Sequence, residues 1–349
     1  MSLPIYNNPP TFLFFEINRR CNLRCNHCDF WKRDDKGRES YLQEPSLDVI
    51  LRDFADLGGQ KVVICGGEPL LDLQRYRMVC DTAHKHGLRV LSVVNGTRAP
   101  LRDSEFEKFF FDGGPDELSV SFDDFREGEH DYFRGRRGAF IATSGFVERW
   151  RRARTRLGSD KKLTVMYLVH GGNYLEIDRA YDWALNVLGV DKLKLNFIQP
   201  SFGGASTEPD HTYAKYSCID FDRLIAVLRE VSEKHGVTFR PEWLNAVYSY
   251  VKPLSYEHPF TLLSGWRSGF ETAKSICNSY ERNIMVSAEG RAQLCFNSSF
   301  GGVDLKQTNL KDFWQNARKM REEMKECRAA CGISHSVRAE NCYEKGLTQ

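Results

Sequence analysis

Residues 11–18, TFLFFEIN, run directly toward Cys21-Asn22-Leu23-Arg24-Cys25-Asn26-His27-Cys28, so an apolar segment delivers three cysteines within eight residues. Its aromatic and branched side chains predict a buried strand ending at the cysteine loop. The C-x3-C-x2-C spacing has no fourth cysteine nearby. A structural zinc site closes with four ligands. Three thiolates on a short loop instead suit a cubane iron–sulfur cluster with one iron lacking a protein ligand. An iron left open in that way can bind and activate a second molecule. Asn22, Arg24, Asn26 and Asp29 break any core periodicity, so three incidental buried thiols fit the pattern poorly.

Outward from that stretch, strand and helix patterns alternate. Strands are predicted at 11–18, 61–64, 89–94, 117–122, 162–169 and 192–198. Helices are predicted at 46–57, 73–86, 102–111, 139–157 and 174–188. Polar and glycine-rich punctuation falls repeatedly after the strands, as in Cys65-Gly66-Gly67-Glu68-Pro69 and Asn95-Gly96-Thr97. In βα barrels the C-terminal rim of the strands is where sites are built. The expected fold is therefore α/β, a partial (β/α)6 TIM-like barrel over residues 10–200, with an open doubly wound sheet as the alternative. Residues 201–276 form a linker or lid with helices of unassigned role, including one at 219–236. Residues 277–349 form a small C-terminal α+β domain, entered through a hairpin at 283–296 that turns at Glu289-Gly290.

Composition narrows the partners. The chain has 349 residues, a net charge of +2 and 28% charged residues. Neither nucleic acid nor an anionic membrane is implied. The arginines around 134–156 have acidic residues close by and no interleaved aromatic stacking motif, so they read as a solvated helix face. No segment approaches a membrane helix in length, and the N-terminus lacks a secretory signal, which points to the cytoplasm. Eleven cysteines in such a compartment are reduced and available for metal binding or catalysis. They cluster at both ends, at 21, 25 and 28 and again at 277, 295, 327, 331 and 342, as two metal sites flanking a scaffold would.

Together these motifs resemble the radical S-adenosylmethionine (radical SAM) superfamily. The resemblance implies that Cys21, Cys25 and Cys28 hold a [4Fe–4S] cluster whose open iron binds SAM. His27 falls at the family's aromatic position, near the adenine. Gly66-Gly67-Glu68-Pro69 looks like its GGEP motif, which borders the SAM ammonium. Asn95, Ser121 and Arg134 match weaker family segments around SAM, with Arg134 expected on its carboxylate. Cys277, Cys295, Cys327 and Cys331 resemble a SPASM/Twitch auxiliary site for a second [4Fe–4S] cluster, with Cys342 as alternative ligand and zinc as the simpler occupant.

The implied activity is SAM cleavage followed by oxidation or epimerisation of a polar small molecule, such as a sugar or aminocyclitol. Cys218 and Cys342 are the thiols to consider as hydrogen donors. Modification of a ribosomally made peptide is the alternative, and a non-catalytic iron–sulfur or zinc protein is the alternative of another class. A flavodoxin- or ferredoxin-like protein is the expected electron donor.

Overall fold

Side chains alternate across every strand, and the two faces of the sheet meet different surroundings. The computed structural model describes residues 6–32, 41–98, 101–199, 215–255, 277–296 and 300–327. Six parallel strands occupy the sheet in chain order: β1 (Phe12–Glu16), β2 (Lys61–Cys65), β3 (Arg89–Val94), β4 (Glu117–Phe122), β5 (Lys162–Val169) and β6 (Lys192–Phe197). Between them run α1 (Glu44–Asp56), α2 (Leu73–Lys85), α3 (Asp103–Phe111), α4 (Glu127–Arg134), α5 (Ala139–Leu157) and α6 (Ile177–Asp182). The last continues into a wider π turn over Trp183–Val187. A doubly wound sheet reverses its strand order at a switch point. The order here never reverses from β1 to β6, and the fold is the expected partial barrel.

The outward face carries the main core. Leu13, Phe15, Val62, Ile64, Val90, Leu118 and Val120 meet helix residues such as Phe54, Tyr76, Phe106, Phe110 and Trp150, all fully buried. Each large side chain buried there contributes roughly 1.5–3 kcal/mol. On the inward face Phe14, Val63 and Met285 form a separate cluster, edged by Phe12, Cys65, Leu91, Val93 and Phe296. The arginines of α5 are spent on the surface: Arg149 pairs with Asp103, Arg151 and Arg152 with Glu148, Arg154 with Asp191 and Arg156 with Glu107.

Two features depart from the pattern. The hairpin near 283–296 is present, but its first strand, β7 (Asn283–Val286), pairs in parallel with β1. From there β8 (Arg291–Gln293) and β9 (Val303–Asp304) continue the same sheet antiparallel. Residue 277 therefore does not separate two sheets. The local pattern could not reveal this, because the partner of β1's second edge lies at the other end of the chain. The second feature is α4, a short helix that the sequence reading missed. Within 201–276, the helix Phe221–His235 buries Phe221, Leu224, Ile225, Leu228 and Val231, and Asp220 caps it by accepting from Arg223 N at 3.1 Å. It packs on α6, so this part of the expected linker belongs to the barrel wall. Residues 200–214 and 256–276 lie outside the described residues.

Candidate active site

The exits of β1 and β2 stay in register beyond their strands. Ile17 N donates to Cys65 O at 3.0 Å, Gly67 N to Asn18 O at 3.0 Å and Glu68 N to Arg20 O at 2.7 Å. Glycine is required where these segments touch. A Cβ on Gly66 would stand 2.4 Å from Asn18 O, and one on Gly67 would stand 2.0 Å from Arg20 O. Gly66 also has φ +137°, which L side chains rarely adopt. The glycine pair thus fits the chain to itself, tucking the segment that leads into the cysteine loop against the β2 exit. Glu68 is fully buried, and its carboxylate accepts from Leu70 N at 2.9 Å and Asn95 N at 2.7 Å. Burial raises its pKa to about 7 against the opposing effect of those two amides. Each carboxylate oxygen thus takes one backbone amide, and Glu68 also lines the cavity described below.

Asn95 carries this link to the cysteine loop. Its amide donates to Asn22 Oδ1 at 3.0 Å, and its oxygen accepts from Thr97 N and Thr97 Oγ1 at 2.8 and 2.7 Å. Asn22 closes the circuit by donating to Thr97 Oγ1 at 2.9 Å. The other side of the loop rests on the C-terminal end of α4. Asn26 N donates to Phe133 O at 2.8 Å, and its side chain donates to Tyr132 O at 2.7 Å, an oxygen that also accepts from the capping Gly135 N at 3.1 Å. Gly135 ends α4 at φ +61°, and a Cβ there would stand 2.2 Å from Arg24 O.

The same helix supplies Arg134, which is buried. Its Nε lies 2.8 Å from Asp123 Oδ2 and its Nη2 donates to Asp123 Oδ1 at 3.0 Å, a two-point pair. Its Nη1 lies 4.0 Å from Cys25 Sγ. Burial alone would raise the Asp123 pKa; the Arg134 charge foremost, with His27, His130 and His170 behind it, holds it below its ordinary value. The guanidinium expected to await a ligand carboxylate therefore already has a carboxylate on one edge. His27 lies 3.9 Å from Asp123 Oδ1 and packs on Phe133, and burial keeps its pKa low.

Cys21, Cys25, Cys28, His27, Gly66, Gly67, Glu68, Asn95, Ser121 and Arg134 all line one cavity of about 230 Å³. The thiols are not in disulfides. Burial raises the pKa of all three, that of Cys25 to about 12, so a bound cation is the charge that would displace their protons. Leu23 N and Phe30 N donate to Cys21 and Cys28 Sγ at 3.5 Å, and such donors favour charged sulfur. Among the described residues no three His, Cys, Asp or Glu side chains converge closely enough to hold a single ion. A four-iron cluster, whose irons are themselves separated, makes no such demand, and the donor set fits it.

Most of the remaining wall is apolar: Phe14, Val63, Val93, Met166, Leu168, Phe197, Met285 and Phe296. Cys65, which the sequence reading did not single out, also faces the cavity. Its position at an inward-facing step of β2 was the available signal. Cys218 is exposed and is not on the cavity wall.

At the C-terminal end, Cys277, Cys295 and Cys327 are half-buried. Ser279 N donates to Cys277 Sγ at 3.3 Å, and Ser279 Oγ donates to Leu294 O at 2.8 Å, joining the segments that carry Cys277 and Cys295. The helix preceding Cys327 is docked by Arg321, whose Nε donates to Tyr280 O at 3.2 Å and whose guanidinium lies 3.8 Å over the Tyr6 ring. Cys331 and Cys342 lie outside the described residues.

Comparison with known proteins adds the following. Residues 15–184 match the Radical SAM superfamily. Over 338 residues the chain is 25% identical to the AdoMet-dependent heme synthase of Methanosarcina barkeri, covering 93% of this chain and 88% of that protein. It is 28% identical over 225 residues to the PqqA peptide cyclase of Methylobacterium nodulans, covering 64% of this chain and 55% of that protein. The solved structure of anSMEcpe with bound AdoMet superposes with a TM-score of 0.62 at 14% identity, covering 96% and 92% of the two chains, a likeness of fold. Among the described residues no helix is long and apolar enough to cross a membrane.

Proposed function

The chain belongs to the radical SAM superfamily, and from that premise we propose that it abstracts a hydrogen from a small molecule presenting an apolar portion, and that it oxidises this substrate. Cys21, Cys25 and Cys28 would hold the [4Fe–4S] cluster. Gly66, Gly67, Glu68, Asn95, Ser121, His27 and Arg134 would border SAM. When bound, cluster and SAM together supply a 5′-deoxyadenosyl radical able to take an unactivated hydrogen. One observation carries the proposal: every residue that the sequence assigns to cluster and cofactor at the barrel end lines the same cavity.

The chain's own residues do the rest. Phe14, Val63, Met285 and Phe296 exclude water from the space where a carbon radical must survive. The amide donors to Cys21 and Cys28 and the nearby Arg134 tune the charge on sulfur, one of the levers on cluster potential. The apolar wall favours a substrate with a hydrophobic portion over a wholly polar sugar or aminocyclitol. Oxidation needs an exit for a second electron. Cys277, Cys295 and Cys327, with Cys331 or Cys342 as a fourth ligand, would hold an auxiliary cluster for it. Phe296, the residue after Cys295, already lines the cavity, which supports a short route. The exposure of Cys218 counts against it as an epimerase hydrogen donor. A flavodoxin- or ferredoxin-like protein would deliver the first electron. The relative named PqqA peptide cyclase keeps peptide modification as the second reading.

Anaerobic reconstitution followed by reduction with SAM tests the proposal. Release of 5′-deoxyadenosine is the expected result, abolished in Cys25→Ala. Its absence with every reductant would return the chain to the non-catalytic metal proteins. Iron and sulfide near about eight each per chain would indicate two clusters, whereas about four each would remove the auxiliary one.

A further inference from the structure

On the footing of the function given above, we propose that Lys194 receives the carboxylate of the substrate, which is therefore an apolar acid. β6 alternates strictly. Leu193 and Leu195 are buried in the outward core, which puts Lys192, Lys194 and Asn196 on the opposite, concave face. Lys194 pairs in register with Met166, and Asn196 pairs with Leu168. Met166, Leu168 and Asn196 all line the cavity that holds the cysteine triad. Lys194 thus leaves the sheet on the cavity's side, one pleat from Asn196, and the inward cluster of Phe14, Val63 and Met285 belongs to the same concave face.

Among the described residues that face offers Lys194 no ion-pair partner. The carboxylates near it are already engaged: Glu117 with Lys61 at 2.8 Å and Arg89 at 3.2 Å, and Asp123 with Arg134. Glu16 lies 3.9 Å from Arg19. Burial and the neighbouring Lys192 lower the Lys194 pKa to about 8. The amine is still mostly protonated at neutral pH. Lys194 is half-buried, and an ammonium held partly away from water without an anion is costly. A ligand that brings its own carboxylate removes that cost, and the apolar wall accepts the remainder of the molecule.

The test uses the reconstituted holoprotein with SAM bound, and 3-phenylpropionate and 3-phenylpropionamide as probes of equal shape and different charge. Calorimetry on the wild type should give roughly tenfold tighter binding of the acid, the size expected for one charge-assisted bond. Lys194→Met should bring acid and amide within about twofold of each other, and Lys194→Arg should keep the preference. Replacing a buried charge by an apolar residue of similar length is commonly tolerated, so the Met variant is expected to fold. Equal binding of the two probes by wild type, binding of neither, or an acid preference that survives in Lys194→Met overturns the proposal. So does a loss of SAM affinity in Lys194→Met, which would assign the lysine to the cofactor. Release of 5′-deoxyadenosine is scored separately. Its failure with an intact acid preference would refute the radical chemistry and leave the binding assignment standing.

Discussion

Gly67 has no room for a single added methyl group, since a Cβ would meet the backbone oxygen of Arg20 at 2.0 Å. Gly67→Ala is expected to cost about 3 kcal/mol and to lower the iron retained after reconstitution, read together by denaturation and metal analysis. Cys65→Ala, on the same wall, should retain its iron. The Asp123–Arg134 pair invites a second measurement. Removing one partner leaves the other charged and buried, so Arg134→Gln should lose about 3–5 kcal/mol in urea denaturation, with part regained in the double variant that adds Asp123→Asn. If the double variant is as unstable as the sum of the singles, the two side chains are not coupled. His130 and His170 set the response to acid. Burial above all lowers both pKa values to about 4, and each Nδ1 accepts a backbone N–H, as a neutral ring can. The unfolded chain takes up these protons first, near pH 6.5. Their contribution is therefore complete above that pH and is lost as pH falls from about 6.5 toward 4, by up to roughly 1.4 kcal/mol per histidine per pH unit. The urea midpoint should drop between pH 7 and pH 5, and coincident midpoints would show that the rings are not buried and neutral.

Among the elements, α4 shows most clearly what local pattern reveals and what it hides. The strands and long helices were legible because their apolar residues recur at periods that only one conformation satisfies. The sequence of α4, EGEHDYFR, has too few turns for such a signal, and its buried residues His130, Phe133 and Arg134 are not an apolar stripe. The site was legible wherever a rare residue type sat at fixed spacing, as with Cys21, Cys25 and Cys28. Its supporting partners were not: Asp123 behind Arg134 and Asn22 behind Asn95 are joined by tertiary contact alone. The helix can be tested through its end. Gly135 and Gly158 close α4 and α5 with similar φ, +61° and +60°, but only Gly135 abuts the cysteine loop. Gly158→Ala should cost about 1 kcal/mol from backbone strain alone, with cluster content unchanged. Gly135→Ala should in addition displace the loop at Arg24 and lower iron content. Equal iron in the two variants would mean that the loop does not depend on α4.

At the scale of the whole molecule, β1 is central: β2 lies on one side of it, β7 on the other, and the cysteine loop hangs from its end. A chain ending at residue 276 keeps all six barrel strands but bares the β1 edge, with Phe14 losing its contact to Phe296. Exposed apolar edges recruit other chains. Such a truncation is expected in the insoluble fraction or as oligomers by size exclusion, and a soluble monomer with intact circular dichroism would show that the barrel stands without β7. The same pairing sets a schedule. Phe12 and its neighbour Asn283 are separated by about 270 residues of chain. At about 5–20 residues per second, synthesis leaves the β1 edge waiting on the order of tens of seconds for its partner. During translation, then, the segment that bears the cysteines spends its early life beside a bare strand, so metal loading before release would meet a half-built sheet.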